Sequence, residues 1–486
     1  MALTLKDPSL LATKAYINGE WVDSDDGSTF DVLNPATGEL VAKVASCGGA
    51  EARRAIEAAN AAQPAWAKLT AKQRADILHR WADLIVENAD DLAVIMTVEQ
   101  GKILAEAKGE VVYAASFISW FAEEGRRVYG DVIPTNANDR RLIAIKQPVG
   151  VVAAITPWNF PAAMLTRKAG PALAVGCTFI MKPAKETPLS ANALCVLAER
   201  AGIPKGVVNL VCGSSASAIG NELTGNPLVR KVTFTGSTPV GKLLLAQSAQ
   251  TVKKVSMELG GNAPVIVFDD ADLDRAVAGA AAAKYRNAGQ TCICANRILV
   301  QDTIYDAFVE KFSRVVAGYK VGNGLDKDTH IGPLIHEKAA TDVIGMVDDA
   351  VKAGAKVAVG GKRHALGGSF LEPTVLTDVN PTMRVFREEI FGPVAPVFKF
   401  STEEEAIHMA NDTEFGLAAY LYTGNMGRAF RVSEGIEYGM VGINETAISS
   451  EVIPFGGVKE SGLGREGSKY GVDDYLEIKL LCIGGL

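Results

Sequence analysis

Between Ser46 and Gln100 apolar residues recur at helical spacing. Ile77, Trp81, Leu84, Ile85 and Leu92 stand at i, i+4, i+7, i+8 and i+15, which gathers them on one face. Beyond Gly150 the pattern changes. Short β-rich runs are predicted at Gly150–Ile155, Thr178–Lys182, Val207–Val211, Lys231–Thr235 and Lys254–Met257. Between them lie stretches of helical composition at Met164–Val175, Ser190–Ala201, Ala216–Leu223 and Pro239–Gln250. Such alternation predicts a parallel sheet of right-handed βαβ units. A second alternation follows, with strands predicted at Val265–Phe268, Arg297–Val300 and Val357–Val359. Its predicted helices are Leu273–Ala288, Ile304–Ala317, Thr341–Ala353 and Glu404–Asn411. Gly260 and Gly261 interrupt the pattern, which places a domain boundary near Leu259–Asn262. Arg140–Gln147 alternates like an exposed hairpin arm, and Tyr475–Cys482 reads as a further apolar strand. Extended margins of this kind pair readily between subunits.

Composition narrows the class. The 486 residues carry 49 Lys+Arg against 56 Asp+Glu, a net charge of −7, with 48% hydrophobic residues, as in ordinary globular proteins of several domains. The acidic balance offers no basic stripe to a nucleic acid. The opening MALTLKDPSL lacks a basic region followed by an apolar stretch, so no signal peptide is expected. Apolar runs such as Val151–Ile155 fall far short of the ~20 residues a membrane helix needs. The cysteines are scattered without zinc spacing and the histidines match no metal motif, so the reading is no metal and a reduced, cytoplasmic setting.

Two glycine patterns resemble phosphate-binding motifs and fail. Gly462 to Gly467 fits G-x-G-x-x-G, but no strand feeds it and too little chain follows for a βαβ unit. Gly236 to Lys242 resembles a P-loop whose next residue, Leu243, has no hydroxyl for Mg²⁺. What survives is Phe234-Thr235-Gly236-Ser237, either a plain βα turn or a helix start whose N–H groups hold a pyrophosphate. Three residues at element ends carry chemistry. Cys292, after Gly289-Gln290-Thr291, is either an accessible nucleophilic thiol or a small buried hydrophobe. Glu258 closes a β-run before two glycines, where α/β proteins place catalytic groups; the alternative is a solvated strand end. Asn159, just past a strand, offers an amide to a developing oxyanion or serves as a turn cap.

TPWNFP, FTGS, MELGGNAP, GQTCICANR, EEIFGPV and PFGGVKESGLGRE occur in this order. Together they resemble the aldehyde dehydrogenase superfamily over nearly the whole chain. The longer stretches ITPWNFPAAMLTRKAGPALA and KYRNAGQTCICANR are similar to its bacterial succinate-semialdehyde dehydrogenase branch. The resemblance implies an α/β fold of two open parallel-sheet domains plus a small β oligomerisation element. Residues 1–127 and 149–259 would bind NAD(P), 260–460 would be catalytic, and 128–148 with 461–486 would assemble a homo-oligomer, a tetramer or dimer. It further implies Cys292 as nucleophile, Glu258 as general base, and Asn159 with the Cys292 N–H as oxyanion hole. Trp158, Asn159, Lys182, Pro183, Ala184, Lys185, Gly236, Ser237, Leu259 and Glu389 would hold the cofactor. Acyl transfer to coenzyme A is the competing chemistry, against which a base at Glu258 argues.

Three finer expectations follow. Arg286, six residues before Cys292, and Arg167, eight after Asn159, offer guanidinium groups to a substrate carboxylate. The alternative is a pair of structural salt bridges. The resemblance adds Ser449 and implies succinate semialdehyde, with glutarate semialdehyde as the alternative substrate. Lys185 stands where NAD-preferring members commonly carry Glu, so NADP⁺ should serve at least as well as NAD⁺. Cys294, two positions from Cys292, either packs beneath the loop or forms a reversible disulfide with it, a switch the resemblance also implies.

Overall fold

Residues 4–486 are described by a computed structural model. The strand Val151–Ile155 is buried along its whole length, as a strand covered on both faces requires. It lies inside an eight-stranded sheet ordered Gly462–Leu463, Lys254–Glu258, Val229–Thr235, Val151–Ile155, Thr178–Lys182, Val208–Leu210, Ala15–Ile17, Glu20–Val22. The strands from Lys254–Glu258 to Val208–Leu210 are parallel; Gly462–Leu463 and Ala15–Ile17 run antiparallel to them, and Glu20–Val22 pairs antiparallel with Ala15–Ile17. Alternate residues serve opposite faces: Val152, Ala154, Phe179 and Met181 pack in one core, Val151, Ala153, Ile155 and Ile180 in the other.

The chain order of the parallel strands reverses between Val151–Ile155 and Val229–Thr235. Trp158 and Asn159 follow the first of these, Gly236 and Ser237 the second. In an open α/β sheet the crevice beyond such a reversal is where ligands bind.

A seven-stranded sheet follows, ordered Lys356–Val359, Thr374–Thr377, Val394–Phe400, Ala295–Gln301, Ala263–Val267, Ala418–Tyr422, Met440–Ile443. Only its first pair is antiparallel. The pattern change at Gly260 and Gly261 falls between Lys254–Glu258, in the first sheet, and Ala263–Val267, in the second. A third sheet joins Leu476–Gly484, Arg140–Pro148 and Asp131–Ile133. Its strand Leu476–Gly484 leaves Ile478, Leu480 and Ile483 exposed.

Some sequence expectations change. The helical region Ser46–Gln100 is three helices, Gly49–Lys68, Ala71–Glu87 and Ala89–Gln100. Thr70 and Gln73 form a capping box that restarts the chain, and Asn88 ends the next helix, so Leu92 sits on a different helix from Trp81. The segment 461–486 divides: Gly462–Leu463 extends the first sheet, and only Leu476–Gly484 joins the arm. The helix expected to reach Ala288 stops at Tyr285, because Asn287 and Ala288 adopt left-handed φ values of 51° and 55°. Among the described residues no helix is long and apolar enough to cross a membrane.

Candidate active site

The early helix stop shapes the nucleophile loop. Asn287 is buried, and its N–H donates to both oxygens of Glu106 at 3.1 Å. Gly289 turns the chain at φ +77°, where a Cβ would lie 2.2 Å from the Gly392 carbonyl oxygen, so no side chain fits. Cys292 then occupies the second position of a turn closed by the Cys294 N–H on the Thr291 carbonyl at 3.1 Å. Its side chain is half-buried, whereas Cys294 is buried. Burial, reinforced by the nearby Glu389 charge, pushes the Cys292 thiol up to about 12, with Arg167 opposing.

Asn159 is buried beside the thiol. Its Nδ2 donates to the Gln290 carbonyl at 3.0 Å, leaving the second amide hydrogen for another acceptor. Glu258 ends its strand buried, with neither carboxylate oxygen hydrogen-bonded. Burial, then the neighbouring Glu466 charge, raises its pKa well above the usual carboxylate range. A carboxyl held in this way keeps its proton more tightly than a solvated one. Glu389 accepts the Gly261 N–H at 3.1 Å, and burial lifts its carboxyl to about 7.

Two cavities meet at Cys292. One, of about 260 Å³, is lined by Trp158, Asn159, Gly236, Ser237, Leu259 and Glu389, with Phe391 set edge-on to Trp158 at 5.6 Å. The Gly236 N–H donates to the Glu258 carbonyl at 3.0 Å, and a Cβ at Gly236 would fall 2.4 Å from the Phe234 ring. Ser237 caps the helix Thr238–Ser248 without using its side chain, and Thr235 Oγ1 is buried and unpaired at the same rim. A glycine-cleared wall, free hydroxyls and a helix N-terminus make a fitting seat for a dinucleotide. The Lys182-Pro183-Ala184-Lys185 segment lies outside this lining. Lys182 is buried, with Nζ 3.3 Å from the Pro183 carbonyl and its pKa lowered by burial, while Lys185 is exposed.

The second cavity is small and brings together Arg167, Arg286, Ser449, Phe160, Phe455 and Cys292. Arg167 is buried between the Phe117 and Phe455 rings, 4.9 and 4.2 Å from its Cζ. The salt bridge expected as the alternative is present, with Nε 2.8 Å from Glu466, while NH2 has no partner. Lys168 also pairs with Glu466, so the cluster keeps an excess positive charge. Arg286 is exposed, set over the Phe160 ring at 5.0 Å. Ser449 Oγ lies 2.5 Å from the hydroxyl of Tyr113, a lining residue that carries no motif and that the sequence reading passed over.

Cys294 points away from both cavities. Its thiol donates to the Lys284 carbonyl at 3.4 Å, beneath the loop, where Lys284 is wholly buried. Among the described residues, no group of three His, Cys, Asp or Glu is placed to hold a metal ion.

The profile of the aldehyde dehydrogenase family matches residues 21–481. The chain is 63% identical to a glutarate-semialdehyde dehydrogenase of Pseudomonas aeruginosa, over 100% of both chains. It is 61% identical to the succinate-semialdehyde dehydrogenase [NADP(+)] of Escherichia coli strain K12, over 99% of this chain and 100% of that one. The crystal structure of succinate-semialdehyde dehydrogenase from Burkholderia pseudomallei superposes with a TM-score of 0.98 at 61% identity, covering 99% of this chain and 100% of that chain.

Proposed function

The chain belongs to the aldehyde dehydrogenase family, and within it we propose that this protein oxidises a short aldehyde bearing a distal carboxylate. Succinate semialdehyde is the preferred substrate, glutarate semialdehyde a poorer one, and NADP⁺ serves at least as well as NAD⁺. The observation that carries the substrate is the convergence of Arg167, Arg286 and Ser449 with Cys292 on one small cavity. An unpaired NH2 on Arg167 and an exposed Arg286 are donors suited to a planar carboxylate at the end opposite the thiol. The names of the relatives divide between succinate and glutarate semialdehydes.

The chemistry starts at Cys292. Its thiolate adds to the aldehyde carbonyl, and the amide hydrogen that Asn159 Nδ2 has free, with the Cys292 N–H, stabilises the resulting oxyanion. A nicotinamide seated there would supply the hydride acceptor, and loss of hydride from the Cys292 adduct leaves a thioester. Trp158, Gly236, Ser237, Leu259 and Glu389 would seat that cofactor, with Lys182 and Lys185 nearer a ribose phosphate. Glu258 then takes a proton from water, which hydrolyses the thioester and releases the carboxylate.

In this reading residues 1–127 and 149–259 form the nucleotide-binding domain, and 260–460 the catalytic one. Residues 128–148 and 461–486 assemble a cytoplasmic homo-oligomer, most simply a tetramer, through the apolar strand bearing Ile478 and Ile483.

The test follows reduced cofactor with succinate semialdehyde, glutarate semialdehyde and butyraldehyde, with and without coenzyme A. Wild type should prefer succinate semialdehyde without needing coenzyme A, and glutarate semialdehyde should trail by ~1–3 kcal/mol in kcat/KM, the worth of one methylene. Arg167→Ala and Arg286→Ala should erase the preference over butyraldehyde; an unchanged preference in both variants removes the substrate assignment.

A further inference from the structure

The helix Leu104–Glu124 presents Glu106, Glu110, Tyr113 and Phe117 at successive spacings of four, three and four, which places them on one face. Each touches a different part of the site just described. Glu110 forms a buried ion pair with Lys102, 2.5 Å apart, whose side chains are 1% and 0% exposed. Both partners reach further. Lys102 Nζ also donates to the Asn159 main-chain carbonyl at 2.7 Å. Glu110 Oε1 accepts the N–H groups of Ala162 and Ala163 at 2.9 and 3.2 Å, where the helix carrying Arg167 begins.

From this geometry we infer that Lys102, held by Glu110, is a positioning residue that fixes the direction of the Asn159 amide. The inference rests on Asn159 acting as the oxyanion donor. The Asn159 carbonyl takes two donors, Lys102 Nζ and Asn287 Nδ2, the latter at 3.0 Å, while the Asn159 side chain is tied to the Gln290 carbonyl. Main chain and side chain of Asn159 are thus both held. The Lys102 contact is the only one of these three supplied from outside the nucleophile loop. Two buried charges are a costly way to hold one carbonyl, and losing either partner strands the other. A neutral donor would satisfy the carbonyl alone. The ion pair also locks that donor to the same carboxylate that starts the Arg167 helix, so the oxyanion donor and the substrate arginine share one anchor.

A double-mutant cycle tests this. Asn159→Ala should lower kcat by about 10²–10³-fold. Lys102→Met should lower kcat by about 10–100-fold with the KM for NADP⁺ unchanged, since a 1 Å misplacement suffices for such a loss. In the Asn159→Ala background Lys102→Met should cost less than about twofold, because nothing is left to position. Thermal unfolding qualifies each variant. Should Lys102→Met fail to fold, Lys102→Met with Glu110→Gln removes both buried charges and takes its place in the cycle. Equal losses in both backgrounds, or wild-type kcat without Lys102, overturn the inference while leaving Asn159 as donor. Wild-type kcat in Asn159→Ala overturns the oxyanion reading, and the inference with it.

Discussion

Gly261 lies directly against Cys292: a Cβ built on the glycine would stand 2.3 Å from the Cys292 carbonyl oxygen. No relaxation of a flexible side chain relieves that contact, because the obstacle is main chain. Gly261→Ala must therefore displace the turn that carries the thiol. We expect the variant to fold and to lose on the order of 100-fold in kcat, as misplaced reacting groups do. Far-UV circular dichroism beside steady-state kinetics checks it; an active Gly261→Ala would mean the turn tolerates a shift.

The thiol chemistry has a signed pH dependence. Burial sets the Cys292 pKa high first, and the Glu389 charge raises it further. Glu389 itself titrates at about 7, so its repulsion is present only above that pH. Glu389→Gln should accordingly speed alkylation of Cys292 by iodoacetamide above pH 7 and leave it unchanged well below. Peptide mass spectrometry is the proper readout, since exposed Cys482 also reacts. An equal acceleration at all pH values would assign the effect to packing.

Cofactor choice should turn on Lys185. The side chain is exposed, so a nucleotide phosphate meets it at little desolvation cost. We expect Lys185→Glu to shift kcat/KM toward NAD⁺ and away from NADP⁺, through repulsion of the 2′-phosphate. Identical ratios in wild type and variant would leave Lys185 a solvated surface charge.

For the redox pair the structure raises the threshold. Cys294 is buried and bonded to the Lys284 carbonyl, so a disulfide with Cys292 needs the turn to open before the sulfurs reach ~2.05 Å. Mild peroxide should still inactivate wild type, and dithiothreitol should restore it, because such a strained bridge reduces easily. Cys294→Ala should be inactivated without comparable recovery. Equal recovery in both proteins would show that Cys294 resolves nothing.

Much of the site was legible because its chemistry sits at element ends. Asn159 follows a strand, Glu258 closes one and Cys292 precedes one, and periodicity locates strands well when they are buried on both faces. The supports were not legible. Lys102 and Glu110 belong to no motif, and nothing local in the sequence says that they are buried together. Tyr113 carries no motif, and its partner Ser449 lies 336 residues away. The stop at Tyr285 escaped notice because Asn287 and Ala288 follow an alanine-rich helix, where propensity favours continuation. Tertiary contacts, Glu106 on the Asn287 N–H among them, override that preference.

The two cavities share Met164 and Cys292 in their linings and otherwise have different walls. Cys292 and Met164 thus stand as the partition between two rooms. Molecules arriving from opposite rooms need not pass one another, and neither room has to be vacated before the other is filled. A cofactor and an aldehyde seated in these two rooms could be held at the same time, with Cys292 within reach of both.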